Sequence, residues 1–169
     1  NFGAKRIALD HVSMLVSAGD KGDERKALDE IMTALRTIVQ ELDITLFVVS
    51  HLRRADGTPH EEGGFTSLSQ LRGSGGIGQL ADIVNGLERN GQHEDPFDRN
   101  VTTLRILKNR FTGETGPSGK LLWHKNSNRF SELPLGGDEK ELDAAKKNYY
   151  DEIQYRYNDA VDGVKDDLL

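Results

Sequence analysis

The chain has 169 residues, 36% of them hydrophobic and 30% charged, with a net charge of −6 and no cysteine. That length supports one domain with a core of its own. No apolar run reaches transmembrane length and no signal peptide is evident, while the lack of cysteine excludes a disulfide framework or a thiolate zinc site. The expectation is a cytoplasmic protein with no membrane partner. The charge is uneven: Gly137 to Leu169 holds ten acidic and five basic residues, which leaves the remainder near −1. A near-neutral body can still carry a local basic surface.

The chain enters a strand almost at once after Asn1, and a natural terminus rarely starts inside a core element; a piece of a longer protein is expected. Lys5 to Val16 reads as a buried parallel strand running into a loop, with Ile7, Ala8 and Leu9 apolar and Asp10 at the end. After a small polar loop, Asp23 opens a helix to about Glu41. Its apolar residues Leu28, Ile31, Met32, Leu35, Ile38 and Val39 fall on one face. Ile44 to Ser50 is a second fully apolar strand, ended by His51. Arg53 to Ser69 is a glycine-rich polar surface loop. Leu71 to Gln79 holds four glycines and leads through Asp82 to a strand over Ile83–Leu87, closed by Glu88 and Arg89. Gly91 to Asn100 reads as a turn, Val101 to Lys108 as a strand, and Asn109 to Pro117 as a loop. Gly119–His124 and Arg129–Glu132 read as a closing hairpin.

Strand, helix and strand at this spacing imply a βα crossover and a mostly parallel sheet, with antiparallel pairing at the edge where the connections are short. After Gly136-Gly137 the pattern changes. Leu142, Ala145, Tyr149, Ile153, Tyr157, Ala160, Val164 and Leu168 step by three or four, which predicts an amphipathic helix with a break at Gly163. All four tyrosines lie in this tail.

In open α/β sheets, ligands sit beyond the carboxyl ends of the strands. Asp10 and His51 both end buried strands separated by one crossover. A carboxylate there can order a magnesium ion beside nucleotide phosphates; it equally serves to cap a helix or turn. His51 is either a functional group or a satisfied half-buried histidine. Lys108 and Arg110 alternate with Asn109 and so face one side of an extended strand. They are suited to phosphate, or form a solvated edge.

The runs IALDHVSMLVS, DERK, VVSHLRR, LRGSGGIGQLADIVNGLERN and LRILKNRFTGETG occur in the order of the DnaB-like replicative helicases. The chain resembles that family, its phage primase-helicase branch above all, from about Lys5 to Pro134; LRGSG with KNRFTGETG is the specific part. The resemblance implies the C-terminal half of a RecA-like P-loop NTPase motor over residues 1–135, α/β in class, followed by an acidic tail over 136–169. It gives Asp10 the role of magnesium and nucleotide ligand. His51 becomes the γ-phosphate sensor, and Gln79 an interface residue in the same coupling. Arg110 becomes the arginine finger reaching the neighbouring subunit's nucleotide, with Lys108 beside it. Arg89 and Trp123 sandwich the nucleotide base, as a guanidinium and an indole can; their alternatives are a salt bridge for Arg89 and a hydrophobic anchor for Trp123.

The resemblance further implies Mg2+ with ATP or dTTP, a hexameric ring, and single-stranded DNA read without sequence preference. The DNA contacts fall to Arg53 and Arg54 in the first loop and to Arg72, Gly73, Ser74 and Gly75 in the second, where backbone N–H groups can approach phosphates. Glu61, Glu62 and Gly78 depart from the family pattern. No G-x-x-x-x-G-K-[ST] motif occurs, and residue 11 is His rather than Glu. The phosphate loop and the general base are expected upstream of Asn1, and this stretch alone is expected to be inactive. The tail resembles polymerase-docking tails of phage primase-helicases in general character; it reads equally as a solvated segment, or as a stripe packed on this or a neighbouring subunit. The competing readings of the whole are a RecA-like recombinase core and a catalytically silent interaction module.

Overall fold

The computed structural model describes residues 3–16, 21–55, 57–71, 75–136 and 139–166. Two sheets organise it. Strands β1 (Arg6–Leu9) and β2 (Thr45–Val48) pair in parallel, with Leu9 opposite Val48, and helix α1 (Lys21–Leu42) makes the crossover between them. The helix ends at Asp43, whose φ of 49° is the left-handed conformation that terminates helices. A short 3-10 turn over Val12–Leu15 follows β1.

Helix α2 (Gly75–Leu80) leads into β3 (Ile83–Arg89). Helix α3 (Pro96–Arg99), β4 (Val101–Asn109), β5 (Gly116–His124) and β6 (Arg129–Leu133) complete a four-stranded antiparallel meander in the order β3-β4-β5-β6. The class is α/β as expected, but the expectation of a mostly parallel sheet with one edge hairpin is corrected. Among the described residues only β1 and β2 run parallel, and the antiparallel part has four strands. The connections between β3 and β6 are too short for a crossover, so each strand must turn back on its neighbour.

Side-chain alternation along β3 gives the meander two unlike faces. Val84, Gly86 and Glu88 are buried, whereas Ile83, Asn85, Leu87 and Arg89 are exposed. One core forms where α1 and α2 meet the buried face: Val12, Leu28, Met32, Leu71, Ile77 and Val84. The first of the predicted helix positions, Leu28, is 2% exposed.

A second core gathers Phe97, Leu122 and Leu133, with Ala145, Tyr149 and Tyr150 from helix α4 (Glu139–Asp166) packed on it. Of the predicted stripe of the tail, Ala145 and Tyr149 pack on this chain itself, whereas Leu142 and Ile153 are exposed. The helix continues through Gly163 without the expected break. The turn expected over Gly91–Asn100 contains α3, capped by Asp95, whose carboxylate accepts from Phe97 N–H at 2.8 Å, with Pro96 in the first helical position.

Candidate functional site

The parallel ladder runs past the ends of β1 and β2. Val49 N–H donates to Leu9 O at 2.9 Å and Val12 N–H to Val49 O at 3.0 Å. These bonds hold Asp10 and His11 alongside the segment ending in His51. The rings of His11 and His51 lie 4.2 Å apart between centroids, tilted by 42°. Asp10 and His51 are exposed, so His51 is not a buried histidine satisfied within the core. His11, passed over in the sequence, belongs to the cluster; its Nδ1 is buried without a partner. Its position directly after a strand-ending acid was the available signal.

Both expected DNA loops leave from one point. Leu52 bridges Leu71, and Arg53 N–H donates to Gln70 O at 2.7 Å. Arg53 and Arg54 are exposed beside this junction, and Gly75 is exposed at the start of α2. Arg72, Gly73 and Ser74 lie outside the described residues. The first loop is seated on β3. Glu62 bridges Asn90, and Gly91 N–H donates to Glu61 O at 2.9 Å. At the loop's end Glu88 is buried and accepts from Thr66 N–H (2.7 Å), Thr66 Oγ1 (2.9 Å) and Arg105 Nε (2.7 Å). Burial pushes the Glu88 carboxyl up, but the bonds from Arg105 and Thr66 outweigh it and hold it below its ordinary value of 4.5. The Arg105 guanidinium in turn lies 4.8 Å from the Phe65 ring centre. Nothing local flags this network, because its members come from two strands and a loop.

Lys108 lies on β4 and Arg110 in the turn directly after it, not on the strand face expected for both, and both meet the end of α2. Lys108 Nζ donates to the carbonyls of Gly78 (2.7 Å), Gln79 (3.0 Å) and Ala81 (2.8 Å). A cation over the last free carbonyls of a helix satisfies them and suits its dipole. Arg110 donates to Gln79 O at 2.8 Å and to Asp82 Oδ1 at 3.0 Å, and Arg36 binds the other Asp82 oxygen. The Gln79 side chain is exposed at this corner. Leu68, Ser69, Gly75, Gly78, Gln79 and Lys108 line an open depression of about 650 Å³.

Arg89 and Trp123 flank β4 on the exposed face. Arg89 stands opposite Thr102, which stands opposite Leu121, and Trp123 is two residues further along β5. Two strand spacings set the backbones roughly 10 Å apart. Among the described residues Arg89 forms no salt bridge with an acid; Nε donates to Arg99 O at 2.7 Å and Nη2 to Asn100 Oδ1 at 3.1 Å. Trp123 is half-buried, its ring 4.7 Å from that of Phe130. Anchoring and base stacking are compatible there, since Phe130 takes part of the indole.

Helix α4 docks behind this face through polar contacts. Lys146 pairs with Asp95 at 2.5 Å and Asp98 at 3.5 Å, Tyr150 bonds Asp95, and Tyr149 OH meets Asn100 Nδ2 at 2.8 Å. The bonds from Lys146 and Tyr150 hold the Asp95 carboxyl well below the usual carboxylate range. Asp95 correspondingly raises Lys146 and Tyr150.

A magnesium ion bound beside phosphates needs only one or two carboxylates, the rest of its shell being water and phosphate oxygen. A lone exposed Asp10 at a parallel strand end fits that requirement. Among the described residues no group of three or more His, Asp or Glu could hold a metal unaided. No described helix is long and apolar enough to cross a membrane.

A parallel strand pair with polar residues at its carboxyl ends, followed by an antiparallel meander, is an α/β arrangement of the RecA-like kind. Residues 2–132 match the DnaB-like helicase C-terminal domain family, and the chain belongs to it. It is 39% identical over 143 residues to the DNA helicase/primase of Enterobacteria phage T3, covering 84% of this chain and 25% of that protein. To the replicative DNA helicase DnaB of Geobacillus stearothermophilus it is 28% identical over 144 residues, 83% of this chain and 30% of the relative. A solved structure of a DnaB-like replicative helicase, described with its interactions with primase, superposes with a TM-score of 0.61 at 25% identity, over 76% of this chain and 30% of that one. The chain therefore spans about a quarter to a third of the length of these relatives.

Proposed function

We propose that this chain is the distal half of the motor of a replicative DNA helicase that couples NTP hydrolysis to movement along single-stranded DNA as a hexameric ring. The observation that carries the reading is the union of strand ends and loops. Asp10 and His51 lie at the ends of paired parallel strands, and the residue after His51, Leu52, is bridged to Leu71, where the second loop begins. A change felt at His51 is thus one residue from the junction of both DNA-facing loops.

In this reading Asp10 would hold Mg2+, which would supply charge neutralisation at the phosphates of ATP or dTTP. His51 donates to the γ-phosphate and senses its loss. Arg53 and Arg54, with backbone N–H groups at residues 72–75, hold DNA phosphates. Arg89 and Trp123 take the base between them. Arg110 leaves Asp82 to reach the phosphates of the adjacent subunit, where its planar fork offsets developing charge; Lys108 and Gln79 form the corner from which it moves. No G-x-x-x-x-G-K-[ST] motif occurs in these 169 residues, so the reading assigns the phosphate loop and the general base to none of them. The outward part of α4, with Tyr155 exposed, is left for a replicative polymerase.

The test is NTP hydrolysis by the whole protein carrying Arg110→Ala, with and without single-stranded DNA. Loss of DNA-stimulated turnover with nucleotide binding retained supports the reading. Unchanged turnover contradicts it.

A further inference from the structure

Asn100 sits where three elements meet, and every polar atom of its side chain is engaged. Nδ2 donates to Pro96 O at 2.9 Å and to Tyr149 OH at 2.8 Å. Oδ1 accepts from Arg89 Nη2 at 3.1 Å. The orientation of the amide follows from its neighbours: a carbonyl such as Pro96 O only accepts, and a guanidinium only donates. Reversing the amide would set two donors against each other at Arg89 and two acceptors at Pro96. Tyr149 OH completes the arrangement by donating to Pro96 O at 3.2 Å, while its ring lies edge-on to the buried Phe97 at 5.6 Å. The backbone of Asn100 serves the other side, its carbonyl accepting from Trp123 N–H at 2.9 Å.

We infer that Asn100 is a positioning residue for base recognition: it fixes the Arg89 guanidinium through its side chain and the Trp123 backbone through its carbonyl. Arg89 is exposed and long, so left free it would spread over many rotamers. Held at Nε by Arg99 O and at Nη2 by Asn100 Oδ1, its plane is set before any ligand arrives. The inference rests on the assignment of Arg89 and Trp123 to the base. It adds a residue that touches no ligand, and an outside support, since Tyr149 belongs to the C-terminal helix.

A base-free probe separates positioning from general damage. In the whole protein with Mg2+, the affinities of ATP and of inorganic tripolyphosphate are measured for wild type, Arg89→Ala, Asn100→Ala and Asn100→Asp. Losing one oriented hydrogen bond corresponds to about a fivefold weakening. Asn100→Ala is expected to weaken ATP by about that factor and leave tripolyphosphate unchanged. Asn100→Asp keeps the acceptor facing Arg89 and is expected to retain ATP affinity although its second oxygen meets Pro96 O; the unchanged tripolyphosphate affinity guards against a folding defect in the alanine variant. Equal weakening of both probes by Asn100→Ala overturns the inference, as does an unchanged ATP affinity beside a weakened Arg89→Ala. If Arg89→Ala itself leaves ATP unchanged, the base assignment fails and the inference with it.

Discussion

Arg110 and Asp82 are joined at 3.0 Å, and Arg36 holds the second oxygen of the same carboxylate. One half-buried acid thus ties the proposed finger, in the turn after β4, to helix α1. Arg110 remains nearly half exposed, so it can leave this contact without uncovering a core.

Asp82→Asn keeps the shape of the side chain and removes the charge that both arginines share. Partly exposed ion pairs contribute modestly, so stability should fall by about 1 kcal/mol, seen as a drop of roughly 2–4 °C in Tm. Thermal unfolding of the whole protein checks this. An unchanged Tm means that the arginines find other partners at no cost.

Gly86 faces the seat of the first loop. A Cβ at this position would meet Thr66 Oγ1 at 2.0 Å and Thr66 Cβ at 2.8 Å. Gly86→Ala must therefore displace Thr66 from Glu88, with a cost of about 1–3 kcal/mol. Proteolysis within residues 53–66 should accelerate, because the loop loses its fixed end. Equal cleavage rates in the variant and wild type would count against this seat.

Asp95 gives the docking of α4 a definite pH dependence. Its folded value lies below the ordinary 3.8, so its contribution is present above 3.8 and is lost as pH falls through the lower folded value. Lys146 is raised above 10.5, so its contribution is full below 10.5 and fades only as pH rises through the higher value. Stability from this contact should be flat across neutral pH. Asp95→Asn keeps the helix cap but should cost about 1 kcal/mol at neutral pH and remove this part of the acid dependence. Unfolding curves at falling pH, wild type against variant, read both effects.

The parts of this fold that repeat locally were legible in the sequence. The apolar runs of β1 and β2, each stopped by a polar residue, marked the parallel pair, although the strands expected to be buried are largely exposed. The spacing of Leu28, Ile31, Met32 and Leu35 marked α1, and that of Ala145 and Tyr149 marked α4. What stayed hidden depends on distant partners. Glu88 looks like the end of a strand until Arg105 and Thr66 arrive from 17 and 22 residues away. Asn100 looks like a turn residue until Tyr149 reaches it across 49 positions. Helix α3 is too short for any periodicity to register, although Asp95-Pro96 carries the cap signal that would have found it.

In the proposed ring Asp10 and Arg110 serve one nucleotide from two subunits, and mixing two variants tests this. Whole protein carrying Asp10→Ala and whole protein carrying Arg110→Ala are each assayed for DNA-stimulated NTP hydrolysis, then combined under conditions that exchange subunits. The account predicts that each variant alone is inactive and that the mixture recovers turnover, because some interfaces then pair an intact Asp10 with an intact Arg110. A mixture as inactive as its parts would contradict it.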